Sequence, residues 1–146
     1  MANSRQKGKD GEREVALLWK SLGFENARRG LQFRDGSDNS DVIGVPYWVE
    51  VKRYSHLYPA IWANAWNQAV AARNLACERE YIPDLYDVVV MARENRKDWS
   101  VLVSVDLLRA LRYDGENHQF QHANLVEGED LRKISWDEWA KLVRIS

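Results

Sequence analysis

This chain of 146 residues has little cysteine, almost no net charge and no long hydrophobic run. Cys77 is its one cysteine, which excludes an intramolecular disulfide and a zinc site built on several cysteines. No apolar stretch is long enough to span a bilayer, and no signal peptide is visible, so we expect a cytoplasmic protein without membrane contact. Internal repeats and low-complexity segments are also absent. What is left is one globular domain over residues 1–146, long enough to bury a core.

The composition is that of a folded chain, with 45% hydrophobic and 29% charged residues, and its seven tryptophans are many for this length. The net charge of −1 is unevenly distributed. Residues 1–34 carry eight basic and four acidic side chains, a local charge of +4 against −5 for the remainder. This asymmetry favours a basic face that binds DNA, although surface charge also fluctuates by this amount in proteins with other functions.

The most informative stretch is 40–53, where two short apolar runs are separated by Pro46. Glu50 and Lys52 are two residues apart in the second run, so they share one face of a predicted strand. One interpretation is a surface strand with an exposed ion pair. The other includes Asp41, because two carboxylates can hold one hard divalent cation while a nearby lysine positions the attacking water.

A helix is predicted from Asp10 to Leu22 and ends at Gly23. Its inward stripe is formed by Val15, Leu18, Trp19 and Leu22. Glu12 lies on the same stripe. It either favours the helix N-terminus electrostatically or reaches over the sheet to a metal site.

The other elements follow from periodicity and turn signals. They are a strand over 25–33, a polar turn over 34–40, strands over 41–45 and 47–53, a helix over 60–79, strands over 87–92 and 99–105, and helices over 107–112 and 135–143. Asp106 is expected to cap the first of these last two helices, and Ser135 with Glu138 forms a capping box for the second. Asp38, in the polar turn, suits either a substrate-contacting loop or an ordinary hairpin.

The helix over 60–79 is expected to face the sheet through Ile61, Ala65 and Gln68. Gln68 then either hydrogen-bonds the site or lies at the rim of the core. Trp62 and Trp66 are offset from that stripe, which predicts that they serve a partner subunit. The competing interpretation buries both in the core of one chain.

Two motifs resemble known nucleases. Asp41 followed by Glu50-x-Lys52 resembles the bipartite signature of the PD-(D/E)XK nuclease superfamily, with Ser40 where a proline is usual. Residues 7–14, Lys-Gly-Lys-Asp-Gly-Glu-Arg-Glu, are similar to the opening of the Holliday junction resolvases of archaea and some phages. The resemblance covers about residues 7–105 and leaves 106–146 as a C-terminal extension.

The resemblance implies an α/β fold with a restriction-endonuclease-like αβββαβ core and a mixed central sheet. It implies a homodimeric, Mg²⁺-dependent endonuclease that resolves four-way junctions in branched DNA, with Mn²⁺ able to substitute and no small-molecule cofactor. The implied catalytic residues are Glu12, Asp41, Glu50, Lys52 and Gln68, and the implied metal ligands are Asp41, Glu50, Glu12 and the carbonyl of Val51. The implied DNA-binding residues are Lys7, Lys9, Arg13, Arg28, Arg29, Arg34 and Arg53.

Two other functions fit the same residues. The first is a nuclease of this superfamily with another substrate, of restriction, repair or flap type, which cleavage of junctions compared with linear duplex would distinguish. The second is a DNA-binding module that keeps the fold without catalysis. Three acids beside phosphates would only repel DNA in a pure binding module, so they favour catalysis.

Overall fold

The computed structural model describes residues 4–31, 33, 36, 38–82, 85–126 and 130–145. Within these ranges the helices are α1 (Ser4–Ser21), α2 (Pro59–Glu78), α3 (Val105–Ala110) and α4 (Trp136–Val143). The strands are β1 (Arg28–Arg29), β2 (Val42–Ile43), β3 (Tyr47–Tyr54), β4 (Asp87–Glu94), β5 (Ser100–Ser104), β6 (His118–Phe120) and β7 (Leu131–Ser135). The order of elements through β4, a helix, three strands, a helix and a strand, is the one predicted. In the part of the chain described, no helix has the length and hydrophobicity needed to cross a membrane.

The strands form one mixed sheet in the order β1-β2-β3-β4-β5-β7-β6. Its centre is the parallel pair β3 and β4, aligned from Tyr47 opposite Asp87 to Tyr54 opposite Glu94. The other neighbouring strands run antiparallel. Parallel neighbours need a crossover connection, and α2 supplies it. The predicted α/β class with a mixed central sheet is therefore confirmed.

Two apolar layers cover the faces of the sheet. One contains Val49 and Val51 of β3 and surrounds Trp19 of α1, whose ring contacts the rings of Phe24, Tyr47, Trp136 and Trp139. The other packs Trp48 of β3 against α2. Because side chains alternate along a strand, Glu50 and Lys52 share the α2 side with Trp48, as predicted.

Several elements differ from the prediction, and the first is the helix expected from Asp10, since α1 begins at Ser4. The strand expected over 25–33 is only Arg28–Arg29, because the chain first turns with Ala27 N donating to Phe24 O at 3.0 Å. The strand expected over 41–45 stops at Ile43, since Gly44 turns the chain at a φ of 85°. Strands β6 and β7 were not predicted, since their alternation is weak in a segment rich in charge.

The helix caps differ in part from expectation. Asp106 does not cap α3, because the helix begins at Val105 and the hydroxyl of Ser104 accepts the hydrogen bond from Leu107 N at 3.1 Å. Ser135 caps α4 as predicted, accepting from Glu138 N at 3.2 Å. The Glu138 carboxylate in turn accepts a hydrogen bond from the Tyr113 hydroxyl, which ties α4 to the segment after α3.

The prediction that Trp62 and Trp66 face a partner subunit is wrong. They are 4% and 3% exposed, and they pack with Trp48 in the layer beneath α2. The buried stripe of α2 runs through Trp62, Ala65, Trp66 and Ala69, a regular helical repeat one position away from the stripe expected. Gln68 consequently lies at the exposed edge of α2 and not under it.

Candidate active site

All five candidate catalytic side chains line one cleft of about 280 Å³. They come from separate elements of the sequence: Glu12 from α1, Asp41 from the segment before β2, Glu50 and Lys52 from β3, and Gln68 from α2. The cleft lies between β3, which contributes Glu50 and Lys52, and the edge of α2, which contributes Gln68. Arg29, Asp38 and Asn39 also line it. Arg29 was expected to bind DNA, Asp38 was left open between a substrate-contacting loop and a hairpin, and Asn39 had been given no role.

Asp41 is held in place by three hydrogen bonds. Its N–H donates to Val49 O at 2.8 Å, and its carbonyl accepts from Gly30 N at 2.9 Å. Its side-chain Oδ2 accepts from Val51 N at 2.8 Å. The Asp41 carboxylate is therefore held against β3 at Val51, the residue that directly follows Glu50.

Ser40, directly before Asp41, connects two strands through its side chain. Its buried hydroxyl accepts from Val49 N at 2.8 Å and donates to Val42 O at 2.6 Å. A proline could make neither bond. The serine thus joins β2 to β3 directly before Asp41, so its presence is compatible with an intact site.

Gly30 allows β1 to approach the same segment. A Cβ atom at this position would lie 1.8 Å from Ser40 O, so any other residue would push β1 away. The close approach brings Arg29 into the cleft, where its Nε donates to Glu12 Oε2 at 2.7 Å. Arg29 was expected to contact DNA, and the structure pairs it with an expected metal ligand. Gly30, directly after the two arginines, was the available sequence signal for this close approach. Nothing in the sequence identified Glu12 as the partner of Arg29.

Burial and mutual repulsion shape the charges of the two central acids. Burial, reinforced by the charge of Glu50, raises the pKa of Asp41 well above its ordinary value, although the hydrogen bond from Val51 opposes the shift. Burial also raises the pKa of Glu50, and Lys52 opposes that shift. The positive charge of Lys52 therefore only partly offsets the burial and repulsion of these two acids.

Lys52 lies between an acid and an amide. Its Nζ is 3.3 Å from Glu50 Oε1 and 3.5 Å from Gln68 Oε1. Burial alone would lower the pKa of Lys52, but the neighbouring carboxylates, Glu50 first among them, outweigh it and raise the pKa. The ammonium group stays protonated at neutral pH, which suits it to hold a water or a phosphate oxygen by donation.

The chemistry of these donors fits a hard divalent cation. Asp41 and Glu50 present carboxylate oxygens, the ligands that Mg²⁺ and Mn²⁺ prefer, and a cation between them would relieve their repulsion. Among the residues described, no three His, Cys, Asp or Glu side chains are grouped as a metal site, and Glu12 is engaged by Arg29. Mg²⁺ is commonly held by one or two carboxylates with water in its other positions, so the fit is to that kind of site.

The raised pKa of Asp41 predicts how this site affects stability. A carboxyl group whose pKa is higher in the folded state destabilises that state once pH rises above its ordinary value near 3.9. Asp41→Asn keeps an oxygen for Val51 N and removes the charge. We therefore expect the variant to melt at a higher temperature than the wild type in EDTA at about pH 7.5, with the gain shrinking toward about pH 4.5.

Thermal unfolding at both pH values checks this expectation. Asp98→Asn, at an exposed position in the turn before β5, is the matched control and should show no such pH-dependent gain. A variant of Asp41 that melts below the wild type at neutral pH would contradict the assigned charge balance.

The expected DNA-binding residues do not all reach the cleft. Arg28 is exposed beside Arg29 on β1, while Lys7, Lys9 and Arg13 lie along α1, where Arg13 also pairs with Asp10 at 3.6 Å. Arg53 is on the α1 side of β3, against Gly11 and away from the Glu50 face. Arg34 lies outside the described residues.

The cleft therefore combines half-buried carboxyl groups and a protonated lysine. Arg29, which lines it, and the exposed Arg28 next to it on β1 are called the basic rim. These are properties of a site that binds a cation and a polyanion together. Comparisons of the chain with family models, with curated proteins and with solved structures found no match.

Proposed function

We propose that this chain is a Mg²⁺-dependent endonuclease that cuts branched DNA, acting as a resolvase of four-way junctions. The observation that carries the proposal is the cleft in which Glu12, Asp41, Glu50, Lys52 and Gln68 meet. A cleft lined by four acids, a lysine and a glutamine suits phosphodiester hydrolysis, because the reaction needs an activated water and compensation of charge on the phosphate. The order of elements around the mixed sheet further supports a restriction-endonuclease-like core.

In this proposal Asp41 and Glu50 would hold the ion, with the Val51 carbonyl and Glu12 as further candidate ligands. A Mg²⁺ ion held by these residues would lower the pKa of water and offset charge on the leaving oxygen. Asp41 contributes a carboxylate already oriented by the hydrogen bond from Val51 N. Its fixed position reduces the reorganisation needed when DNA binds.

Lys52 orients the attacking water and compensates the negative charge that develops on the phosphate. Its Nζ lies in the cleft between Glu50 and Gln68, which hold it in place. Water adds to phosphorus, the bond from phosphorus to one ester oxygen breaks, and the products are a phosphate end and a hydroxyl end. Arg29 holds Glu12 at the cleft.

Paired cuts on opposing strands of a junction require two sites at a fixed separation, which a two-fold homodimer provides. The dimer surface is not the Trp62 and Trp66 stripe, because both side chains are used inside the chain. The dimer is therefore proposed on the geometry of the substrate alone.

A cleavage assay tests the proposal. We expect the wild type to cut a labelled four-way junction on two opposing strands in Mg²⁺ or Mn²⁺ and to leave it intact in EDTA. Glu50→Gln, purified in the same way, controls for a contaminating nuclease. Equal cutting of linear duplex would indicate another nuclease of this type, and tight binding without cutting in any metal would indicate a DNA-binding module.

The salt dependence of binding tests the basic rim. Arg28 is exposed, and replacing it with glutamine leaves the bond between Arg29 and Glu12 in place. If Arg28 neutralises one phosphate, Arg28→Gln should reduce the slope of log K against log salt by about 0.9. Lys141→Gln, in a separate depression with Ser21 and Leu22, should leave the slope unchanged. Equal slopes for wild type and Arg28→Gln would place the DNA elsewhere.

A further inference from the structure

A second pocket, of about 400 Å³, adjoins the cleft. Its walls are mainly apolar and include the rings of Phe33, Tyr47, Trp48, Tyr81 and Tyr86. The two cavities share Asn39 and Ser40 as a common wall, so an occupant of one lies next to an occupant of the other. The volume is within the range of pockets that enclose small ring-shaped ligands.

The lining of this pocket matches the chemistry of a nucleobase. Phe33 and Tyr81 already pack ring to ring, with centroids 4.1 Å apart and planes inclined by 31°, although one precedes β2 and the other follows α2. Aromatic walls accept any base, because every base presents a π face. Trp48, which is 1% exposed, forms part of the same wall.

We propose that this pocket binds one unstacked base of the branched DNA, next to the phosphate held in the cleft. The proposal rests on the proposed function, because it takes the neighbouring cleft as the phosphate site. Unstacking is least costly where a base is already unpaired or poorly stacked, so the pocket favours DNA at a branch point over continuous duplex. The shared wall of Asn39 and Ser40 places the base beside the reacting phosphate. The site would then prefer branched DNA over duplex without reading the base sequence.

An abasic scan of a four-way junction tests the pocket. Single nucleotides flanking the branch point are replaced one at a time by abasic residues, and binding is measured by fluorescence anisotropy in EDTA, where no cutting interferes. For the wild type we expect one position at which loss of the base weakens binding about 5- to 150-fold, the range for a base stacked on aromatic side chains. Tyr81→Ala should bind the intact junction correspondingly less tightly and should not respond to the abasic residue at that position.

Two further variants complete the design. Tyr58→Ala removes an aromatic ring that is 63% exposed, against 39% for Tyr81, from the N-cap of α2 and outside the pocket lining, and it should keep the full abasic response. Phe33→Ala removes the other half of the stacked pair and substitutes for Tyr81→Ala if circular dichroism shows that variant to be unfolded. A junction bound normally, with no sensitive position or with equal sensitivity in the pocket variants, overturns the base pocket and leaves the nuclease proposal standing. Failure to bind any junction overturns both.

Discussion

Asp41→Asn is expected to lower the rate of junction cleavage about a thousand-fold while binding in EDTA is retained or tightened. The substitution removes a carboxylate from the proposed ion site. A cation contributes several kcal/mol of transition-state stabilisation, and about 4 kcal/mol corresponds to three powers of ten in rate. It also removes a negative charge that would repel phosphate, so affinity should not fall. The geometry is conserved, because an asparagine oxygen can still accept from Val51 N.

Single-turnover cleavage at saturating protein, together with anisotropy in EDTA, measures the two quantities separately. Asp98→Asn is again the matched control and should cut at the wild-type rate. An Asp41→Asn variant that cuts within a few-fold of wild type would remove Asp41 from the ion site. Loss of binding along with cleavage would instead indicate that Asp41 organises the fold of the cleft.

Trp62→Ala is expected to lower the free energy of unfolding by about 3–5 kcal/mol, the usual cost of deleting a buried aromatic side chain. The ring packs beneath α2 with Trp48, and the Lys133 ammonium lies 4.6 Å from its centroid. Folded domains are stable by only about 5–15 kcal/mol, so such a loss is severe. Trp66→Ala should behave in the same way, since Trp66 is 3% exposed.

Urea unfolding followed by circular dichroism measures the change. Leu17→Ala is a suitable control, because Leu17 is 67% exposed on α1 and such a surface substitution should stay within about 0.5 kcal/mol. Sedimentation of the same samples tests whether Trp62 instead contributes to a dimer interface. A Trp62→Ala chain that stays as stable as the wild type but no longer self-associates would restore the interface interpretation.

Periodicity predicted the elements with strong patterns. The stripe of Val15, Leu18, Trp19 and Leu22 predicted a helix and its buried face, and all but the half-buried Leu18 are fully buried, although α1 ends one residue before Leu22. The alternation in β3 likewise placed Glu50 and Lys52 on one face. Short elements were missed or misplaced, because two or three residues carry no period, as in β1 and β6. On α2 the sequence contains two neighbouring apolar stripes, and only packing against the sheet determines which of them is buried.

The residues of the candidate site were predictable, but their mutual contacts were not. Asp41, Glu50 and Lys52 come from one short stretch whose spacing is visible in the sequence. The bond between Arg29 and Glu12 depends on how closely β1 approaches the next segment, which Gly30 decides through a contact with Ser40. The pocket lined by Phe33 and Tyr81 depends on a similar meeting of distant segments. Such long-range pairings have no local signature.

The insertion of β7 between β5 and β6 affects the order in which the molecule can fold. Leu131–Ser135 pair with β5, and Trp139 of the following helix contacts Trp19, so residues near the two ends of the chain close the same layer. Pairing across such sequence distances slows folding, because loop closure precedes the gain from contact. Every candidate catalytic residue precedes position 69, yet the layer behind β3 is complete only when residues 131–143 have docked. The packing behind the cleft therefore depends on a part of the chain that contributes no side chain to its lining among the residues described.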